Sequence, residues 1–595
     1  MQTLKAMAAS LPLSFFLLLS LLCTPSASAA PPSNPVTPGG ACSLTPNPAF
    51  CRSVLPPQGS GNLYFYGRFS LAKSLSRTYF YLDAIDRYLA GSSSALSQPA
   101  VRALQDCQLL LGLNVDFLSS ACSTLNSTAA VLPDSQADTL QTSLSALITN
   151  QQTCLDGLDD VSPGASKALS ASLSNGTDLY SVSLGLFTHA WAPKRKFFNR
   201  QGFRHSRIPR RRRGGGGGGG RGGHKGRSLL FHELLENDGS PGGLPIKVST
   251  GHGGGKLFER ASGRRLLQSS SSSDAIMATD IVVVSQDGTG NFTTITDAVN
   301  SAPNNTDGSD GYYLIYVTAG VYPEYVSITK KKKYLMMVGD GINQTVVTGD
   351  HNNADGWTTF NSATLAVVGQ GFVAVNMTFQ NTAGAAKHQA VAVRSGADLS
   401  TFYRCSFEGY QDTLYTHSMR QFYRECDVYG TVDYIFGNAA VVLQGCNIYS
   451  RLPIQGQSNT ITAQGRTDPN QNTGTSIQGC TLAAAADLAA STGGSTATYL
   501  GRPWKEYSRT VIMSSFVDGL VDPAGWLPWN GDFALSTLYY AEFNNTGPGS
   551  DTSQRVAWAG YHVIDSADAV NFTVSSFVLG DNWLPQTGVP YSSGL

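Results

Sequence analysis

Gln389-Ala-Val-Ala-Val393, Tyr410-Gln-Asp-Thr-Leu-Tyr415 and Asp433-Tyr-Ile-Phe-Gly437 follow one another at nearly a fixed step. Each combines β-branched or aromatic residues with turn formers, the mark of a short strand. Gln389 to Asp412 is 23 residues and Asp412 to Asp433 is 21. A repeat of that length predicts the rungs of a solenoid. Parallel strands in successive rungs lie roughly 4.8 Å apart. Stacking would bring two carboxylates, Asp412 and Asp433, and two amides, Gln389 and Gln411, into one cleft. A carboxylate nucleophile, a second carboxyl to move a proton and amide N–H donors for an oxyanion suit acyl transfer.

Outward from this stretch, the texture holds from about Asp280 to the C-terminus. Apolar runs such as Ile281–Val284, Tyr312–Val317 and Ala439–Leu443 alternate with Gly, Asn and Asp clusters. Runs this apolar favour parallel over half-exposed antiparallel strands. Asp297 to Ala302 reads as one short helix. Residues 42–190 differ: Leu104, Cys107, Leu111, Val115 and Leu118 recur at helical spacing, which predicts a helical bundle. Between the two lies a linker, residues 194–267. Its first part, 194–227, carries 13 basic residues and no acidic one, with Arg210–Arg213 running into Gly214–Gly220. Such a tract cannot bury a core. RNA binding is the weaker reading of an Arg/Gly tract in a chain with a secretory signal; a processing linker, or a tether to polyanions, is the stronger.

That signal is Lys5, the apolar run Leu11–Cys23 and the small residues Ala27-Ser-Ala29, so residues 1–29 read as a cleaved leader rather than a membrane anchor. Sequons at Asn126, Asn175, Asn343, Asn376 and Asn571 fit export. Nine of the ten cysteines remain after the leader, in two groups, 42–154 and 405–480. Two separately stapled domains are expected, with one cysteine left over. Cys405 and Cys426 share the 21-residue rung step, and Cys446 with Cys480 would close the next turn; spacing alone suggests these two pairs. No His or Cys cluster suggests a metal. Net charge is zero overall, yet residues 1–267 hold 26 basic against 14 acidic side chains (+12) and residues 268–595 hold 15 against 27 (−12). The halves should attract each other.

Residues 280–590 resemble the catalytic domain of plant pectin methylesterases, through Gly320-Val-Tyr-Pro-Glu324, Gln389–Val393, Gln411-Asp-Thr-Leu-Tyr415, Asp433–Gly437 and Leu500-Gly-Arg-Pro-Trp504. Residues 42–190 resemble the family's inhibitor-type pro-region, through Cys42/Cys51, Asp106-Cys107 and Thr149-Asn-Gln-Gln-Thr-Cys-Leu-Asp156. The resemblance implies an all-α four-helix bundle followed by an all-β right-handed parallel β-helix. It implies hydrolysis of C6 methyl esters of homogalacturonan, with Asp433 as nucleophile and Asp412 as proton donor and then base. Gln411 and Gln389 would stabilise the oxyanion, and Arg502 would orient Asp433. Thr359, Phe436 and Trp504 would contact the sugar along with Gln389 and Arg502, whereas Tyr322 and Glu324 would support the fold. Two disulfides are implied in the helical half, Cys42–Cys51 and Cys107–Cys154, leaving Cys122 either free or linking chains. The run Arg264, Arg265, Leu266 and Leu267 resembles the family's subtilase processing site, with Arg227-Ser-Leu-Leu230 a weaker second.

The implied picture is a secreted cell-wall enzyme that needs no cofactor. Its partners would be pectin, a processing protease and free inhibitor proteins, with no nucleic acid and no membrane. The pro-region would silence the enzyme until removed. An alternative is a chain acting chiefly as an inhibitor or binding protein through residues 42–190. A β-helical lyase or glycosidase is a third; a calcium-binding acidic cluster or carboxylates flanking a glycosidic bond would mark it. Two departures stand out: Val393 where Leu is usual, and Tyr434 where Phe is common, whose hydroxyl needs a partner.

Overall fold

The computed structural model describes residues 35–57, 61–92, 96–161, 163–193, 246–248, 276–491 and 496–595. The leader, the basic run and the weaker site at Arg227 lie outside the described residues. So do all four residues of the expected processing site, Arg264, Arg265, Leu266 and Leu267. Four long helices form the first half: α1 (Leu63–Ser92), α2 (Gln98–Leu125), α3 (Asp134–Val161) and α4 (Pro163–Ala190). Ser97 caps α2 by accepting from Ala100 N, and proline follows where its missing N–H costs nothing. Leu104, Cys107, Leu111 and Leu118 are fully buried along its inner stripe, as their spacing predicts. No described helix is long and apolar enough to cross a membrane.

The second half is built from three parallel sheets of twelve, eight and seven strands among the described residues. Through the middle of the coil, neighbours within a sheet are three strands apart in the chain, so each turn there lays one strand on every sheet. This is a right-handed parallel β-helix, and its interior is filled by stacked apolar side chains, Phe379 on Phe407 and Phe402 on Tyr423 among them. The expected short helix runs Ile295–Ser301. Glu324 accepts from Ile295 N and Thr296 N at 2.9 Å each, capping its N-terminus. Tyr322 is buried, so both residues support the fold as expected. The Tyr434 hydroxyl finds Ser450 Oγ at 3.0 Å inside the coil.

Three expectations are corrected. Cys405, Cys426, Cys446 and Cys480 are buried free thiols, not two disulfides. They stand one per rung in a column, and in a parallel ladder equivalent side chains point the same way, not at each other. The sulfurs instead meet backbone: Cys426 N donates to Cys446 Sγ at 3.5 Å and Cys446 N to Cys480 Sγ at 3.3 Å. In the helical half Cys42–Cys51 and Cys107–Cys154 are bonded, and Cys122 is also in a disulfide rather than free. Within the linker, past the basic run, Ile246–Val248 pairs in parallel with Ile276–Ala278. The sequon residue Asn571 is buried, which removes it from glycan attachment.

Candidate active site

The chemistry-bearing residues precede one sheet edge. Val393 pairs with Leu414, and Leu414 with Ile435. Asp412 and Asp433 each stand two residues before these partners, so they occupy one column on adjacent rungs. Val391 holds the same place one rung earlier, and Gln389 lies two residues upstream of it. The 23-residue step is therefore a 21-residue rung plus a two-residue offset, and the expected strict stack of three is corrected on this point. Ala390 N donates to the Gln411 carbonyl at 3.2 Å and Asp412 N to the Val432 carbonyl at 3.0 Å, which fixes the rungs here. Asp412 and Asp433 have φ of 64° and 53°. Left-handed backbone at both carboxylates costs strain, which packing of the neighbouring rungs must outweigh.

The two carboxylates differ in their surroundings. Asp433 Oδ1 accepts from Arg502 Nε at 2.8 Å and Oδ2 from Arg502 Nη2 at 2.7 Å, a bidentate pair. Thr460 Oγ1 donates to Asp433 Oδ1 at 2.7 Å and accepts from Asp433 N at 2.8 Å. Burial works against the Arg502 charge, but Asp433 and then Asp412 outweigh it and raise its pKa. Trp529 covers the guanidinium, 4.4 Å from ring centroid to Arg502. Asp412 is 7% exposed. Burial first, then the Asp433 charge, push its carboxyl well above the ordinary carboxylate range; Arg502 offsets only part. The Asp433 carboxylate is fixed by an arginine fork, while burial holds its neighbour Asp412 for the protonated form.

Gln389 and Gln411 are half-buried beside the column. An aromatic floor runs past it: Phe360 to Tyr415 (6.5 Å between centroids), Tyr415 stacked on Phe436 (4.1 Å), and Phe436 to Trp504 (6.0 Å). Gly437 turns the chain at φ 126°, and a Cβ there would run into the Thr416 carbonyl. Gly465 leaves room for Trp504, which a Cβ would approach to 2.8 Å. Thr359 sits half-buried between Thr358 and Phe360 on the loop before this floor. Sequence reasoning missed Thr460, Trp529 and Phe360. Tyr415 ends the Gln411–Tyr415 motif, and only the structure shows it in the floor. Among the described residues no group of three His, Cys, Asp or Glu side chains is gathered as for a metal.

Comparison with known proteins gives this arrangement a family. A model described as Pectinesterase matches residues 281–581. The chain belongs to the pectinesterase family. A second model, Plant invertase/pectin methylesterase inhibitor, matches residues 39–186. Probable pectinesterase/pectinesterase inhibitor 41 of Arabidopsis thaliana is 56% identical, over 93% of this chain and 94% of its own. Pectinesterase 2 of Citrus sinensis is 43% identical, over 93% and 94%. The solved pectin methylesterase from carrot is 54% identical with a TM-score of 0.52, covering 55% of this chain and 100% of its own. That pectinesterase, matched along its entire length by about half of this chain, is a folded unit on the scale of the β-helical half.

In this pectinesterase the helical half lies over the groove. Leu104, Cys107, Leu111, Cys154 and Leu158 share one apolar cluster with Phe360, Tyr415 and Phe436. Thr149, Thr153 and Asp156, spaced along one face of α3, meet the β-helix in turn. Asn438 Nδ2 donates to Thr149 Oγ1 at 2.9 Å, Thr153 Oγ1 and His417 Nε2 lie 3.1 Å apart, and Lys505 Nζ donates to Asp156 Oδ2 at 2.8 Å. Arg420 is buried between Asp398 of its own half and Asp138 of α3. From α2, Asp106 accepts from Thr358 Oγ1. Burial, only partly offset by that bond and by Arg394, pushes Asp106 up to about 7. Burial, then Arg394, lower His417 to about 3.

Proposed function

We propose that the chain removes C6 methyl esters from homogalacturonan through an acyl-enzyme on Asp433. The Asp433 carboxylate, aimed by Arg502, attacks the ester carbonyl. The oxyanion accepts hydrogen bonds from the Gln411 and Gln389 side-chain amides. Asp412, protonated, gives its proton to the departing methoxy oxygen and methanol leaves. As carboxylate it then takes a proton from water, which attacks the acyl-enzyme, releasing the free acid and Asp433. Thr359, Phe436 and Trp504 line the sugar path. The observation that carries this reading is the pair itself: Asp433 bridged twice to Arg502, and Asp412 one rung away with a raised pKa. Methanol release from methylated pectin without chain cleavage, lost in D433A and in D412A, tests it and separates it from a lyase or glycosidase.

The helical half is the cis inhibitor of this groove, removed at the run Arg264, Arg265, Leu266 and Leu267 by a subtilase-type protease on the way to the cell wall. Support comes from Thr149, Thr153 and Asp156 contacting the groove wall. With that surface engaged in cis, a chain acting mainly as a free inhibitor finds less support. Release of the −12 half should yield a mobile enzyme that demethylates in a dispersed pattern and remains open to free inhibitor proteins. Alanines at Arg264 and Arg265 should block maturation; unchanged processing would move the site to Arg227.

A further inference from the structure

Beyond the aromatic floor, a second stack stands on the same wall of the groove. Tyr325, His351 and Trp357 lie face on face, 3.5 Å between successive centroids, at 8° and 16° between planes. Tyr325 Oη donates to Asp350 Oδ1 at 2.7 Å and accepts from Asp350 N at 3.0 Å, which anchors the far end. The Arg102 guanidinium of α2 lies 3.7 Å from the Trp357 ring centroid, and Arg102 Nη1 donates to the Gly356 carbonyl at 2.7 Å. The stack is thus four planar groups deep, three from the β-helix and one from the helical half.

Its position ties it to the site. Trp357 is two residues from Thr359 and three from Phe360. Asn353 N donates to the Gln389 carbonyl at 2.9 Å, and Asn353 Nδ2 to the Trp357 carbonyl at 3.4 Å. Tyr325 immediately precedes strand Val326–Ile328, which pairs with Leu365–Val367 just after Phe360. The stack therefore continues the wall of Phe360, Tyr415 and Phe436 towards the N-terminal rungs.

We propose that Trp357 is a further saccharide platform of this pectinesterase, taking a uronate unit several sugars from the reacting ester, and that Arg102 occupies it in the full chain. An indole fixed from behind by two stacked rings presents a flat apolar face and loses little freedom on binding. That face suits the apolar side of a pyranose. A guanidinium stacks on the same surface through cation–π attraction, so cover and substrate compete for one spot. The inference rests on the esterase reading and on departure of the helical half.

The test uses residues 268–595, the unit matched by the solved carrot enzyme, with methylated oligogalacturonides of about ten units and with trimers. Trp357→Ala should raise KM for the long substrate about five- to tenfold with little change in kcat, cutting the preference for long over short chains by that factor. Trp357→Phe, which keeps an aromatic face in the stack, should lose about twofold and guards against misfolding of the alanine variant. Equal KM losses on both lengths, a fall in kcat instead, or no change in either variant would overturn the platform. Absence of methanol release from the unsubstituted half would sink the esterase reading and the platform with it; activity with unaltered length preference sinks the platform alone.

Discussion

Asp433 and Asp106 are both 6% exposed and both face the same groove, one from each half of the molecule. Asp433 is met by Arg502 twice and by Thr460, all from the β-helix. Asp106 is met by Thr358 and by the charge of Arg394, neither from its own half, and burial still pushes it up to about 7. The β-helix compensates its buried charge internally. The helical half brings a carboxyl whose burial depends on docking. Under the proposed function, that contrast is the difference between a reaction centre and its cover.

Removing the internal compensation should have the largest effect. If Asp433 is the nucleophile as proposed, D433A in residues 268–595 should lose at least about a thousandfold in methanol release; a variant retaining a tenth of the activity would break the contrast. Q411A should cost about a hundredfold in kcat, the usual loss of one oxyanion donor. A change confined to KM would instead make Gln411 a binding residue.

The cover should respond to pH through Asp106. Its docked pKa is about 7 against an ordinary 3.8, so the docked state favours the protonated acid. Its contribution to docking is full below about pH 4 and is lost as pH rises through about 7. His417, lowered to about 3 under the cover, acts in the opposite sense below its ordinary 6.5. Comparing wild type with D106N isolates the Asp106 part: relative to wild type, inhibition of residues 268–595 by the separate helical half should strengthen more steeply between pH 4 and 7 in D106N, because only the opposing His417 contribution is left. An unchanged slope would show that Asp106 is not buried by docking. The smallest effect belongs to Lys505→Ala. Its bond to Asp156 is partly exposed, so inhibition should weaken by only about two- to fivefold. A larger loss would make the cover more electrostatic than its apolar cluster implies.

The rung step exposed the Asp412–Asp433 column because register in a parallel coil converts sequence distance directly into stacking. Arg502, 69 residues beyond Asp433, was reached through its Gly-Arg-Pro-Trp setting, not through the repeat. Thr460 had no motif to mark it, since loop length decides which rung meets Asp433. Gln389 was displaced by two residues because a 23-residue spacing does not reveal where the extra residues sit. The cysteine column shows the same limit: spacing predicted neighbours, while Cβ direction decided that the sulfurs meet backbone. The cover was legible as a bundle from helical periodicity, and Thr149–Asp156 as a motif. That this motif is the contact face became visible only with Asn438, His417 and Lys505 opposite it.

The most direct measurement is methanol release from highly methylated pectin by residues 268–595, with and without the separate helical half, beside D433A. The account predicts activity from the β-helical half alone, suppression on adding the helical half, and none from D433A. Full activity in D433A, or a β-helical half that is folded yet inactive until the helical half is added, would contradict it.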